Sequence, residues 1–137
     1  HVAGYTCCNE GSVRDWQVHT SQVSPGKNFF HSGALGPWMV SADEITEPGK
    51  LAITSRVNGR TMQSSNTAKM IFDIPAIVSY VSAMVPLLPG DVISTGTPQG
   101  VGYARQPPVF LQPGDVCEVE IEHIGILRNT VARETDA

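Results

Sequence analysis

The sequence predicts a β-rich α+β fold with one main helix, near residues 74–84. Three observations carry this. Thirteen Gly and ten Pro among 137 residues mean many turns, and frequent turns punctuate short strands. Residues 117–122 alternate strictly between apolar and acidic, the period of a half-buried strand. A single stretch, Ile74, Ile77, Val78 and Val81, follows the i, i+3, i+4, i+7 spacing of an amphipathic helix. The length suits one domain. With 41% hydrophobic and 16% charged residues the chain suits a packed core and not a disordered tail.

In chain order, Val2–Cys8 reads as an apolar strand, and Ser12–His19 as a turn or a single turn of helix. Asn58-Gly59 separates Leu51–Val57 from Arg60–Gln63. Asn-Gly accepts the positive φ angles of a type I′ turn, so these runs form a tight hairpin. Leu51, Ile53 and Val57 share one face, Thr54 and Arg56 the other. Asp73 caps the helix, Pro75 suits its first turn, and it ends before Pro86; its stripe is read as core. Leu88-Pro89-Gly90-Asp91-Val92 and Gln112-Pro113-Gly114-Asp115-Val116 repeat one pattern. In each, Pro presets φ and Gly supplies positive φ, which makes a type II turn leading into a strand. The first strand is Val92–Ser94. In the second, Cys117, Val119 and Ile121 point one way and Glu118, Glu120 and Glu122 the other. That glutamate row is either a solvated face, the simpler reading, or a carboxylate metal cluster.

Nine basic against thirteen acidic residues give a net charge of −4, which argues against nucleic acid as a partner. No apolar run reaches the roughly 20 residues that span a bilayer. Three cysteines without a CxxC pattern argue against a disulfide framework or zinc site and for free thiols in a reducing cytoplasm. The chain begins at His1 with no Met and no signal-peptide pattern, as though in the middle of a longer polypeptide.

No GxSxG, HExxH or Walker pattern occurs. Three clusters remain. Ser94-Thr95-Gly96-Thr97-Pro98-Gln99-Gly100-Val101-Gly102 is either a plain loop or one that holds a carboxylate or carbonyl oxygen with Thr hydroxyls and N–H groups. Asn9-Glu10-Gly11-Ser12-Val13-Arg14-Asp15-Trp16-Gln17 sets two acids, an Arg and a Gln at a strand end, for surface ion pairing or for a site. Lys27, between a Pro-Gly turn and Phe29-Phe30, is either solvated or poised to polarise a carbonyl.

Taken in order, these segments resemble the C-terminal half of the fumarylacetoacetate hydrolase family. The match runs through Gly4-Tyr5 and Asn9–Gln17, Gly26-Lys27-Asn28-Phe29, Leu35-Gly36-Pro37-Trp38-Met39-Val40 with Asp43-Glu44-Ile45, and Val57-Asn58-Gly59. It continues through Met70-Ile71-Phe72-Asp73-Ile74-Pro75, Pro89-Gly90-Asp91-Val92-Ile93, Gly96–Gly102 and Gly125-Ile126-Leu127-Arg128-Asn129. The resemblance implies a mixed β-sandwich roll, a homodimer, and a divalent cation, Mg²⁺ before Mn²⁺ or Ca²⁺. It implies a small 2-oxo or 1,3-dicarbonyl acid as substrate, cleaved hydrolytically at a C–C bond, or else decarboxylated, hydrated or isomerised. It places the metal-ligating acid at Glu10, where most members carry Asp. Lys27 and Arg14 fall at catalytic positions, and Gln17, Gly96 and Thr97 at substrate-binding ones. Asp15 is expected to orient Arg14. The family's further Glu-x-Glu metal ligands and its general base belong upstream of the matched region. Glu118 and Glu120 share the Glu-x-Glu spacing but not its place. The chain therefore reads as the C-terminal portion of a catalytic domain, with a silent acid-binding or oligomerisation domain as the alternative.

Overall fold

In the computed structural model, which describes residues 1–133, Asn58 and Gly59 adopt φ of 50° and 78°. They close a two-residue hairpin between β3 (Ala52–Val57) and β4 (Arg60–Asn66). The tip is tied sideways as well. The Asn58 amide group donates to Asp115 Oδ1 at 2.8 Å, and its Oδ1 accepts from Val116 N at 2.9 Å. One turn thereby sets the start of β5 (Val116–Ile121) against the end of β3, and the antiparallel pairing runs from Val57↔Cys117 to Ile53↔Ile121.

Both Pro-Gly-Asp turns form as their residues predict. Gly90 and Gly114 have φ of 100° and 92°. In each, the aspartate also reaches back: Asp91 accepts from Leu88 N at 2.7 Å and Asp115 from Gln112 N at 2.8 Å. The second turn feeds β5, which pairs with β6 (Gly125–Thr130) to complete the sheet order β4-β3-β5-β6. The first turn feeds no ladder. Val92–Ser94 is irregular, because a strand needs a neighbour's N–H and C=O groups and none is supplied among the described residues.

A second sheet pairs β1 (Gly4–Glu10) with β2 (Gly33–Ser41). It begins two residues later than the apolar run that predicted it and carries an irregularity between Tyr5 and Cys7. It packs on β5 and β6, and Cys7, Ile45, Leu51, Val119, Ile124 and Leu127 form the buried core between the layers. Burying each aliphatic side chain of this kind stabilises by about 1.5–3 kcal/mol. The architecture is the β-rich sandwich with one main helix that was expected, and every strand pair among the described residues is antiparallel.

Two expectations change. Helix α2 (Ile74–Met84) has the predicted bounds, with Asp73 accepting from Ala76 N at 2.8 Å. None of its residues is buried, however. Its stripe is half-buried and lines an open cavity of about 1810 Å³ under the β3–β5 face, since no described element covers it. The glutamate row is not a bare solvated face either. Glu120 pairs with Arg56 at 2.6 Å and Glu118 with Arg128 at 3.7 Å, and Glu118 is only 23% exposed. The strands on both sides of β5 supply the opposite charges that make a like-charged row tolerable.

Candidate functional site

The site begins where β1 ends. Glu10 pairs with Gly33, and the next amide, Gly11 N, donates to Ser32 O at 3.0 Å. A side chain at Gly11 would collide with that carbonyl, so the turn out of β1 closes only with glycine. Val13 N then donates to Gly26 O at 2.8 Å, and Gln17 N to Val13 O at 3.1 Å, which starts the single turn of α1 (Arg14–Gln17). Gly26 is buried, and a Cβ there would lie 2.6 Å from the Cβ and N of Gln17. The backbone of residues 24–27 therefore rests directly on α1.

That close approach delivers Lys27. Its Nζ donates to Glu10 Oε2 at 3.1 Å, with the side chains 27% and 45% exposed. Arg14 donates to Gln17 Oε1, one turn further along α1. Its guanidinium also sits 4.5 Å above the centroid of Tyr103, a cation–π contact. Asp15 is exposed, and Arg14 is oriented by Gln17 and Tyr103 instead. On a helical turn, neighbours three apart share a face and adjacent ones do not.

The Gly96–Gly102 loop meets this cluster across the same cavity. Gly96 and Gly100 both have φ of 105°. Thr97 Oγ1 accepts from Gln63 Nε2 at 2.9 Å. Glu10, Arg14, Gln17, Lys27, Gly96 and Thr97 all line one cavity, together with Tyr103 and Gln63. The six residues singled out from the sequence thus border one large open cavity, with direct contacts between Lys27 and Glu10 and between Arg14 and Gln17. Gln63, Tyr103 and Arg105 were not foreseen. Tyr103 and Arg105 stand just past the Gly96–Gly102 run and Gln63 just past the hairpin turn, but nothing local marks them as partners, and only the folded sheet brings β4 to that loop.

The arrangement offers two cationic groups, one carboxylate, an amide and a hydroxyl around an open space. Such a set suits a small anion with several oxygens. A hard divalent cation fits in kind but not in number. Glu10 supplies one carboxylate oxygen, and no group of three His, Cys, Asp or Glu side chains gathers among the described residues. A cation shell of six oxygens would draw the rest from water, from the ligand and from residues beyond this set.

Cys7, Cys8 and Cys117 are free thiols, as expected. Burial pushes the Cys7 and Cys117 thiols up, and neither lies in the cluster. No described helix is long and apolar enough to cross a membrane.

Comparison with known proteins adds to this geometry. The family model described as fumarylacetoacetate (FAA) hydrolase C-terminal matches residues 1–132. The chain is 47% identical over 133 residues to a mitochondrial oxaloacetate tautomerase of Bos taurus, covering 96% of this chain and 42% of that protein. It is also 47% identical to an uncharacterised protein of Archaeoglobus fulgidus, covering 97% and 49% of the two. Among solved structures it resembles a fumarylacetoacetate hydrolase from psychrophilic Exiguobacterium antarcticum, with a TM-score of 0.92 and 44% identity over 97% of this chain and 48% of that one. A 5-carboxymethyl-2-hydroxymuconate delta-isomerase from Mycobacterium smegmatis gives a TM-score of 0.85 at 39% identity, covering 96% of this chain and 49% of that one. The chain spans less than half the length of these relatives.

Proposed function

The chain belongs to the fumarylacetoacetate hydrolase family, and from that premise we propose that it forms the C-terminal portion of a catalytic domain that steers the enolate of a 2-oxo acid. Interconversion of the keto and enol forms of an oxaloacetate-like acid is the reaction we favour. In the keto form, a base takes a proton from the carbon next to the oxo group, the electron pair moves onto the oxo oxygen, and that oxygen then takes up a proton to give the enol. A group that stabilises that oxygen lowers the barrier in either direction. The observation that supports this reading is that Lys27, Arg14 and Gln17, with Glu10, face the cavity that Thr97 lines from the Gly96–Gly102 loop.

Each residue has a distinct task. Lys27 places an ammonium beside the developing oxygen charge, and Glu10 holds that ammonium in place through the 3.1 Å bond. Arg14, held over Tyr103 and bonded to Gln17, presents its remaining N–H groups to a carboxylate. Thr97, on its glycine-flanked loop, gives a hydroxyl to the same anion. Glu10 would be one ligand of a divalent cation, Mg²⁺ first, and such an ion supplies Lewis-acid stabilisation of negative oxygen.

A second reading is hydrolytic C–C cleavage of an acylpyruvate-type acid, favoured by the 44% identity to a fumarylacetoacetate hydrolase. It uses the same enolate, formed when the bond breaks. Both readings are tested on the full-length polypeptide by following oxaloacetate enol–keto conversion and acylpyruvate loss with Mg²⁺. Either activity should fall with EDTA and in Glu10→Ala and Lys27→Met. Rates in both variants equal to wild type would refute the assignment, and no turnover of either acid would favour a silent acid-binding domain. We also propose a homodimer, checked by light scattering. Free thiols suit a reducing compartment, the cytoplasm or the mitochondrial one that the names of several relatives carry.

A further inference from the structure

Two half-buried side chains moor the Gly96–Gly102 loop to β4. β4 carries a bulge: Ser55 faces Gln63 while the next residue, Arg56, faces Thr61. Met62 is therefore the extra residue, and its carbonyl, turned out of the ladder, accepts from Arg105 Nη2. Arg105 Nε donates to Gly100 O at 3.1 Å. Gly100 comes so close that a Cβ would lie 2.8 Å from Met62 O. Gln63 completes the mooring. Its Oε1 accepts from Ser55 Oγ at 2.9 Å, and its Nε2 donates to Pro98 O at 2.6 Å and to Thr97 Oγ1 at 2.9 Å.

The polarity of this set is forced. The Pro98 carbonyl can only accept, so the amide must turn its NH₂ toward the loop. The second hydrogen of that NH₂ is aimed at Thr97 Oγ1, so the hydroxyl accepts there. Its own hydrogen points elsewhere, and no protein acceptor takes it among the described residues. Thr97 is exposed on the cavity shared with Glu10, Arg14 and Lys27. We propose that Gln63 is a positioning residue that fixes Thr97 as a hydrogen-bond donor into the cavity and so selects an anionic ligand oxygen at that point. This rests on the 2-oxo acid reading above and adds to it a residue that acts through Thr97.

The test is calorimetric titration of the full-length polypeptide with oxalate in Mg²⁺, comparing variants of equal fold by circular dichroism. Thr97→Val should weaken oxalate binding about tenfold to a hundredfold, the cost of one hydrogen bond to a charged group, while Thr97→Ser stays near wild type. Gln63→Glu keeps the shape but accepts where glutamine donates, so it draws the Thr97 hydrogen inward and should weaken binding by a similar factor. Added to Thr97→Val, Gln63→Glu should cost nothing more, because the hydroxyl it redirects is gone. The deficit of Gln63→Glu relative to wild type should shrink as pH falls from about 6 to about 4, where the introduced carboxylate regains a proton to donate, and the deficit of Gln63→Met should not. Oxalate binding that Thr97→Val weakens but Gln63→Glu leaves at the wild-type level would overturn this inference alone. So would losses that multiply in the double variant. A wild-type protein that does not bind oxalate would overturn the 2-oxo acid reading and this inference with it.

Discussion

Replacing Gly26 with alanine should damage the site through the fold. The added Cβ would lie 2.6 Å from Gln17 Cβ and N and 2.7 Å from Gln17 Cα. Ordinary carbon contact begins near 3.5 Å, so the two segments must part by about 0.9 Å. Two of the three atoms met are backbone, so no rotamer change relieves them. The retreat strains the 2.8 Å bond from Val13 N to Gly26 O and carries Lys27 away from Glu10, whose 3.1 Å contact is already near the end of the hydrogen-bonding range of about 3.2 Å. Overpacking of this kind costs about 1–3 kcal/mol. A displacement near 1 Å of a reacting group costs about a hundredfold in rate. Urea unfolding of the full-length protein reads the first figure, and initial rates at saturating substrate read the second. Gly49→Ala is the control, since nothing stands within 4 Å of its Cβ, and it should fall within about 0.5 kcal/mol of wild type. A Gly26→Ala protein with the wild-type unfolding midpoint and rate would refute the claim that this contact places Lys27.

Three further outcomes follow from the geometry. Asn58→Ala loses two side-chain hydrogen bonds to the Asp115–Val116 turn and puts alanine at φ 50°; it should lower stability by about 1–3 kcal/mol in urea titration, with Asn58→Gly in between. Alkylation at neutral pH followed by mass spectrometry should modify the half-exposed Cys8 first. Cys7 and Cys117 should lag, because burial raises their pKa and leaves less thiolate. Asp115, held below its ordinary pKa by bonds from Gln112 N and the Asn58 amide, stabilises the fold above the usual carboxylate range and ceases to do so as pH falls below about 4. Asp115→Asn should therefore flatten the acid limb of the stability–pH curve, and an unchanged limb would count against the assignment.

What could be read from the sequence was what short-range chemistry decides. Asn58-Gly59 needs only its own φ angles to make a hairpin. Asp73, Pro75 and Pro86 bound α2 without help from the rest of the chain, and the two Pro-Gly-Asp turns close on their own aspartates. The six candidate site residues were named through the family motifs, and each borders the same large open cavity. What escaped depends on partners distant in sequence. Val92–Ser94 has strand composition but no ladder to join. Glu118 and Glu120 owe their tolerance to Arg128 and Arg56 on adjacent strands. Asp15 sits next to Arg14 in sequence yet forms no ion pair with it, while Tyr103, nearly ninety residues on, covers that guanidinium. Gln63 and Arg105 carry no motif, and their role exists only once β4 and the loop are neighbours.

The extra residue in β4 separates two kinds of inheritance. A deletion of one position between Arg60 and Gln63 would leave a hairpin that still pairs, without the bulge. It would also remove the carbonyl that Met62 turns out of the ladder toward Arg105, while leaving Gln63 opposite Ser55 as before. The descendant would keep the architecture and the Gln63 anchor but lose the one that Arg105 makes at the bulge. Drift in the length of this strand is therefore a route by which a lineage could retain the scaffold while shedding its chemistry.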